Sequence, residues 1–474
     1  MRILLCFFGW MAVVLSVGPV ATAQTSAGDL RVLEVGGAAV ATGQEALFAN
    51  PANLLIGGRA GETTLTLGAV QAFAGGDLLQ FGPYNRTLTR GRFLADDDIS
   101  LLLDDWFGGQ QRGVRGYAEA VPVALFYVST SGLWAIGGAV RTRSLVSTNM
   151  DDGLIDLLLR GTGANRTVPV NGGFRAFTMT DLMVTYSRHL PAYDLRLGIA
   201  PRVVLGGTVA DGSLSSVVDV ADEALTHTFR YETRAAGTLS SDVFDGIDLF
   251  SADSFGAVGF TNPMRRVSGA GFAVDLGATH RLSERWTVSA SVTDLGFVRW
   301  SGDAQRVVPE RDAFRFDGLD LNLGRVEDEF GGNIGRYVRD TLDSLATDAY
   351  AGVVRDRNPF TMALPTTIHF GATADVSGFA PQLLLGLSSP VVRPYPDAPR
   401  MPTLHAGLDY QLGIVPLKGG LRFGGDSALA VGLGTGIHTR RFAFDIGFMA
   451  TPYSSFAGAG GRYALRLSLA TVRW

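Results

Sequence analysis

Gly425-Asp426-Ser427-Ala428 sets a serine directly after a Gly-Asp pair, a block that can present a nucleophilic hydroxyl. Such a serine needs a base within hydrogen-bond reach. The six histidines, His189, His227, His280, His369, His405 and His438, stand singly, and none is spaced to pair with another. G-x-S-x-G, H-E-x-x-H and P-loop patterns are absent from the chain. Ser427 is therefore read as part of a tight hairpin, and no catalytic residue is assigned. Cys6 is the only cysteine and lies near the N-terminus. Without thiolates or paired histidines, no metal site is expected and no cofactor is implied.

Two carboxylates, Asp275 and Asp294, sit inside segments with strong periodicity. In "GAGFAVDLGATHRL", Ala270, Phe272, Val274, Leu276 and Ala278 alternate with Gly271, Ala273, Asp275, Gly277 and Thr279. In "RWTVSASVT", Trp286, Val288, Ala290 and Val292 alternate with Thr287, Ser289, Ser291 and Thr293. In "RRFAFDIGF", Phe442, Phe444, Ile446 and Phe448 alternate with Arg441, Ala443, Asp445 and Gly447. Period two with one greasy face and one small or polar face describes a β-strand. A soluble sandwich would show the same pattern with its greasy face inward.

Composition and segment lengths separate the two. The chain has 474 residues, 61 of them Gly, and a mean hydropathy of +0.19. Its one long apolar run follows Arg2 and closes on Ala21-Thr22-Ala23. A basic start, a short apolar core and an A-x-A ending predict a signal peptide over residues 1–23. The net charge is −5 and Lys418 is the only lysine, so there is no basic stripe and no nucleic-acid partner is expected. An exported, Gly-rich, hydrophobic chain without an internal membrane helix points to a transmembrane β-barrel.

Strands are expected near 64–74, 117–129, 133–146, 173–189, 193–208, 268–282, 285–300, 362–376, 379–390, 400–413, 415–424, 427–438, 440–450 and 463–474. That makes about 14, with Thr226 to Ala236 as an extra arm that leaves twelve or sixteen open. Tight connections such as Thr130-Ser131-Gly132 and Ser283-Glu284 alternate with the long stretches 147–172, 209–267 and 301–361. Short turns on one side and long loops on the other are the outer-membrane pattern. The last strand carries Tyr463, Leu465, Leu467 and Leu469 on one face and ends in Trp474. Val472 and Trp474 fall out of phase with it, which predicts a bulge near Ala470. The fold class is thus all-β, an antiparallel barrel over residues 61–474.

Residues 24–60 precede the first strand and are rich in Gly and Ala. Such a segment suits packing inside a barrel as a plug. Asn50-Pro51-Ala52-Asn53 starts a turn, because Pro51 fixes φ and Asn50 can bond nearby backbone. Phe48, Leu54 and Leu55 can anchor it. The Asn50-Pro51-Ala52 triplet, after a small-residue segment just past the expected signal peptide, resembles the N-terminal hatch of FadL-like long-chain fatty-acid transporters. A closer resemblance is to a set of bacterial outer-membrane barrels of unknown function. It rests on Asn50-Pro51-Ala52-Asn53-Leu54, Asp275-Leu276-Gly277-Ala278-Thr279, Asp294-Leu295-Gly296-Phe297 with Trp300, Leu421-Arg422-Phe423-Gly424-Gly425 and Phe444-Asp445-Ile446-Gly447-Phe448. The resemblance implies a plugged barrel in the bacterial outer membrane with lipid around it, and carries over no ligand-contacting residue. The terminal aromatic strand ending in Trp474 resembles the signal read by the barrel-assembly machinery, the partner expected during biogenesis.

The remaining candidate sites follow from that architecture. Asp275 is expected to pair with an arginine across the lumen. Asp294 falls out of phase with Val292, near the outer end of its strand. A bulge over Asp294, Leu295 and Gly296 explains this and offers a side exit for a greasy ligand. Trp300 then reads as an interfacial aromatic. In "ADDDISLLLDDWFGG", acids precede apolar residues at helical spacing, and Leu102, Leu103, Trp106 and Phe107 form a candidate capture surface. Val326, Phe330, Ile334, Val338, Leu342 and Leu345 make a second such stripe. The function expected is non-enzymatic passage or binding of a small hydrophobic molecule. The alternative is a non-transporting scaffold for protein secretion or surface-protein assembly, and a barrel hydrolase is a third class without a visible Ser/His pair.

Overall fold

The computed structural model describes residues 37–474 except 79–80, 91–93, 162–164, 222–223, 239–266, 317–322, 332, 338–351, 376–381, 393–401, 425–426 and 453–460. The expected signal peptide and residues 24–36 of the plug lie outside the described residues. So does the tip of the Gly425-Asp426-Ser427 hairpin.

The strands are β1 (Thr63–Gly75), β2 (Arg112–Val128), β3 (Trp134–Met150), β4 (Arg166–Leu190), β5 (Leu195–Val220), β6 (Leu225–Ala236), β7 (Gly269–Arg281), β8 (Trp286–Trp300), β9 (Gln305–Pro309) and β10 (Ala313–Phe316). They continue with β11 (Val353–Asp356), β12 (Phe360–Ala363), β13 (Thr367–Asp375), β14 (Gln382–Pro390), β15 (Thr403–Leu412), β16 (Val415–Gly424), β17 (Ser427–His438), β18 (Phe442–Pro452) and β19 (Gly461–Arg473). Fourteen of these close an antiparallel barrel. The circuit runs β1 to β5, β7, β8, then β13 to β19, and β19 pairs back onto β1. β6 pairs the outer half of β5 and lies outside the circuit, so the Thr226–Ala236 arm extends the sheet without widening the barrel. β9, β10 and β11 build outward from it.

Closure leaves no edge strand within the fourteen-strand circuit, as a span through lipid requires. The greasy face of the alternation points outward. Phe272 is 50 % exposed and Leu433 62 %, which rules out a shared dry core between two sheets. Leu67, Phe297, Phe448 and Leu465 join them in an exposed apolar belt. Trp134, Tyr186 and Trp474 stand exposed at the tight-turn end, and Trp134 packs edge-on against Tyr127 at 5.8 Å. They form the aromatic girdle of that interface.

Two irregularities re-aim side chains. On β19, Thr471 and Ser468 face Ala443 and Asp445 of β18, so three residues span what two span opposite. This is the bulge expected near Ala470, and it turns Val472 outward after Leu469. On β8, Val292 and Leu295 face Leu276 and Val274, so Thr293 and Asp294 together oppose Asp275. Asp294 takes a left-handed φ of 59°, which Asp tolerates better than most residues. Both Thr293 and Asp294 then face the lumen, while Leu295 faces out. The expected strand 362–376 is two pieces, β12 and β13, separated by Leu364-Pro365-Thr366 opposite this bulge. Pro365 has no N–H to give a ladder.

The rim is uneven. β4 and β5 have 25 and 26 residues, whereas β13 and β14 have 9 each.

Candidate functional site: a layered lumen

The inward faces of the strands build three layers. At the outer side lies an apolar layer whose buried members include Phe73, Leu145, Phe177, Val204, Trp300 and Met449. Phe360 and Met362 of β12 pack against it. Trp300 is fully buried and lies within the lumen, so it is not the interfacial aromatic expected from the sequence. The reason is the bulge. One extra residue at Asp294 moves the outward set to Leu295, Phe297 and Arg299, and Trp300 must turn in.

Below it runs a belt of buried charge supplied by six neighbouring strands. Arg141 donates through Nε and Nη2 to Asp181 at 2.8 and 2.6 Å. Arg143 bonds Asp181 at 3.1 Å and Asp294 at 2.9 Å. Arg202 bridges Asp275 and Asp294, both at 2.6 Å. The Asp294 N–H donates to Asp275 at 2.7 Å. Glu119 accepts from Tyr117 at 2.8 Å, and Arg141 stands 3.7 Å from it. These groups are buried, and a buried charge persists only when paired. Asp275 therefore has its arginine, but on adjacent β5 rather than across the lumen. Asp294 sits at mid-depth rather than at the outer end of its strand. Period two gave the face of each residue up to the bulge; the cross-strand register decides which charges meet.

The plug fills the third layer. Its described part consists of three short 3-10 turns, Ala38–Val40, Gly43–Leu47 and Pro51–Leu55. Asn50 caps the last, accepting from Ala52 N–H at 3.2 Å, with Pro51 at the first position. The Asn50 amide donates to Ala39 O at 2.8 Å. The Asn53 amide donates to Ala39 O at 2.9 Å and Ala41 O at 3.0 Å, and its oxygen accepts from Thr279 at 2.6 Å. Ser187 donates to Ala52 O at 3.0 Å. The turn rests on Gly198 and Gly277, which are cross-strand partners. A Cβ at Gly277 would stand 2.0 Å from Asn50 Oδ1, and one at Gly198 2.2 Å from Ala52 N. The two glycines leave a seat in the wall for the Asn-Pro-Ala-Asn turn. The upper plug reaches the belt: Phe48 lies under Arg141, 5.0 Å from ring centre to guanidinium carbon. Glu45 pairs with Arg466 of β19.

The wall next to β8 carries a hydrogen-bonded run the sequence does not reveal. Thr293 and His369 lie 3.1 Å apart, His369 and Ser388 2.8 Å, and Ser388 and His405 3.4 Å. His369 and His405 are 36 positions apart in sequence, and only the register of β13 to β15 joins them. Among the described residues no group of three or more His, Cys, Asp or Glu could hold a metal ion.

Outside the barrel, helix Asp96–Trp106 forms where the acidic start was read, with Asp98 accepting from Ala95 N–H at 3.3 Å. Its apolar face is covered. Ile99, Leu103 and Phe107 pack with Met150, and with Ile155 and Leu159 of helix Gly153–Arg160. Leu102 is buried too, and Trp106 is half-buried with its indole N–H on Leu78 O at 3.1 Å. The large apolar residues left exposed on this helical cap are Leu101, Leu154 and Leu158. Of the second stripe, Val326 is buried and Phe330 meets Tyr337 edge-on at 5.5 Å. Val338, Leu342 and Leu345 lie outside the described residues.

The sequence profile of a family of unknown function, DUF5723, matches residues 111–448, more than two thirds of the chain and all of the charged belt, but not the plug. The chain belongs to this family. No curated protein matches it. Among solved structures, the toluene transporter TodX of P. putida is 9 % identical over 96 % of this chain and 97 % of its own, with a TM-score of 0.43. A Pseudomonas aeruginosa FadL homologue is 12 % identical over 96 % and 99 %, with a TM-score of 0.45. The Ralstonia pickettii toluene transporter TbuX is 11 % identical over 96 % and 100 %, with a TM-score of 0.31.

Proposed function

We propose that this DUF5723 barrel is an outer-membrane channel that takes up a small hydrophobic molecule, holds it in the apolar layer, and releases it without chemistry. One observation carries the reading: a cluster of buried apolar side chains lies inside a membrane barrel, above a charged belt and a seated plug. A lumen meant only for polar solutes has no use for such a layer. Capture outside falls to Leu101, Leu154 and Leu158, since Leu102, Leu103, Trp106 and Phe107 hold the cap together.

The belt opposes a straight descent. An apolar passenger would have to part buried ion pairs, at a cost of several kcal/mol, roughly 3–5 for each broken pair. The wall beside Asp294, Leu295 and Gly296 offers less resistance. There β12 and β13 are interrupted, and two bonds span the gap: Leu364 N–H to Gly296 O and Thr366 Oγ1 to Asp294 O, both 2.9 Å. Leu364 belongs to the apolar layer and Leu295 to the lipid-facing belt. The bulge is thus our proposed side exit. Mass spectrometry of molecules that co-purify with the barrel in a mild detergent tests the function. Hydrophobic compounds near one per barrel are expected, and a barrel that repeatedly comes out empty and binds no added hydrocarbon refutes it.

The sheet extension of β4, β5, β6, β9, β10 and β11 favours a second reading, a docking scaffold for secreted protein. Loss of surface proteins on deletion, with normal growth on hydrophobic carbon sources, would select it.

A further inference from the structure

Trp300 poses a problem that packing alone does not solve. It is completely buried, and its indole N–H has no hydrogen-bond partner among the described residues. Buried tryptophan N–H groups ordinarily find one. Trp106 of the helical cap does so, on a backbone carbonyl. The Trp300 ring cannot swing to seek a partner. Gly206 and Gly269, cross-strand neighbours on β5 and β7, lie against its benzo edge. A Cβ on Gly206 would stand 2.5 Å from ring atoms Cζ3 and Cη2, and one on Gly269 2.7 Å from Cε3. Those atoms belong to the edge opposite the nitrogen. The N–H is therefore on the edge turned away from the glycine shelf. Val204, Ala236, Val298, Ala304 and Leu364 of the cluster that holds the ring carry no oxygen acceptor on their side chains, and its one hydroxyl, that of Tyr117, is already bonded to Glu119. A phenylalanine would fill the shelf without burying a donor.

We propose that the Trp300 N–H is the specificity contact of the apolar layer. It receives one acceptor oxygen of an otherwise hydrophobic passenger, a ketone, ester or ether rather than a plain hydrocarbon. This deepens the uptake reading and rests on it. A site that buries an unmet donor discriminates against an analogue lacking the acceptor, because that analogue leaves the donor unpaired.

The test uses indane and 1-indanone, which share a skeleton and differ by one carbonyl. Affinities are measured by equilibrium dialysis on the purified full barrel in mild detergent, corrected for each probe's partition into micelles. The wild type is expected to favour 1-indanone by about tenfold, the worth of one well-made hydrogen bond. Trp300→Phe is expected to lose that preference, its ratio of 1-indanone to indane affinity falling to within about twofold of one. A preference that survives in Trp300→Phe overturns the inference and leaves the uptake reading standing. Failure of both probes to bind the wild type overturns both. A second readout needs no variant. With 15N-labelled tryptophan, one indole N–H resonance should shift downfield with 1-indanone and not with indane. No such shift overturns the inference even where Trp300→Phe fails to fold.

Discussion

Asn53→Ala should loosen the plug without loosening the barrel. Asn53 is buried and makes three hydrogen bonds, to Ala39 O, Ala41 O and Thr279. Ala39 O keeps the Asn50 amide at 2.8 Å, and Thr279 keeps Ser289 at 3.1 Å. Ala41 O loses its Asn53 donor. The unreplaced bond to Ala41 O at about 1 kcal/mol, a penalty of roughly 1 kcal/mol for that stranded carbonyl, and about 1 kcal/mol for the two shared bonds together give about 3 kcal/mol. That corresponds to about a hundredfold in the docking equilibrium. Amide hydrogen exchange over residues 38–56 measures it directly. The slowest plug amides should exchange about a hundredfold faster, while β5 and β7 keep wild-type rates. Asn50→Ala should do less, because Asn53 still serves Ala39 O and only the turn bond to Ala52 N–H is lost outright. Equal protection in Asn53→Ala and wild type, or a uniform loss across the barrel, refutes the latch. So does the reverse ranking of the two variants.

Arg202→Met removes a partner from both Asp275 and Asp294 and should destabilise the barrel by about 3–5 kcal/mol, read as a lower temperature for loss of the heat-resistant gel form. An unchanged transition would mean the belt is not held by this arginine. Thr366→Val keeps the side-chain shape but deletes the bond to Asp294 O. It should speed passenger release into lipid by up to about tenfold, and an unaltered rate counts against the side exit. In the outer extension, the Arg306 hydrogen bond holds the Glu232 carboxyl below its ordinary 4.5. Since the folded value is lowered, the pair supports the β6–β9 contact fully above that pH and loses it as pH falls through the lowered value. Exchange of the Thr233 to Ala235 amides should rise over that acidic range beyond the intrinsic pH effect, and Glu232→Gln should abolish the extra rise.

Much of this architecture is written in short-range pattern. Alternation placed Phe272, Leu276, Ile446 and Phe448 toward lipid, and the phase slips at Asp294 and near Ala470 located both bulges. The Asn50-Pro51 turn was readable because Pro and Asn act on their own backbone. Contacts between strands were not readable. Arg141, Arg143 and Arg202 meet the aspartates only through register, and so do His369, Ser388 and His405. The helical cap failed differently. Spacing shows that Leu103 and Phe107 share a face, but not that Ile155 and Leu159 arrive to cover it. Trp300 could have been placed by counting through the Asp294 bulge, which reverses the facing of every later residue on β8.

The unequal strands make the mouth a doorway rather than a funnel. At about 3.3 Å per residue and a tilt near 40°, the 26 residues of β5 climb about 65 Å, against about 23 Å for the 9 of β13. One flank therefore stands about 40 Å above the other, like the back of a chair. Under the proposed uptake, a visitor would have the tall strands behind it and approach over the shorter strands β14 to β16. Whatever coats the cell surface there becomes the threshold it must cross.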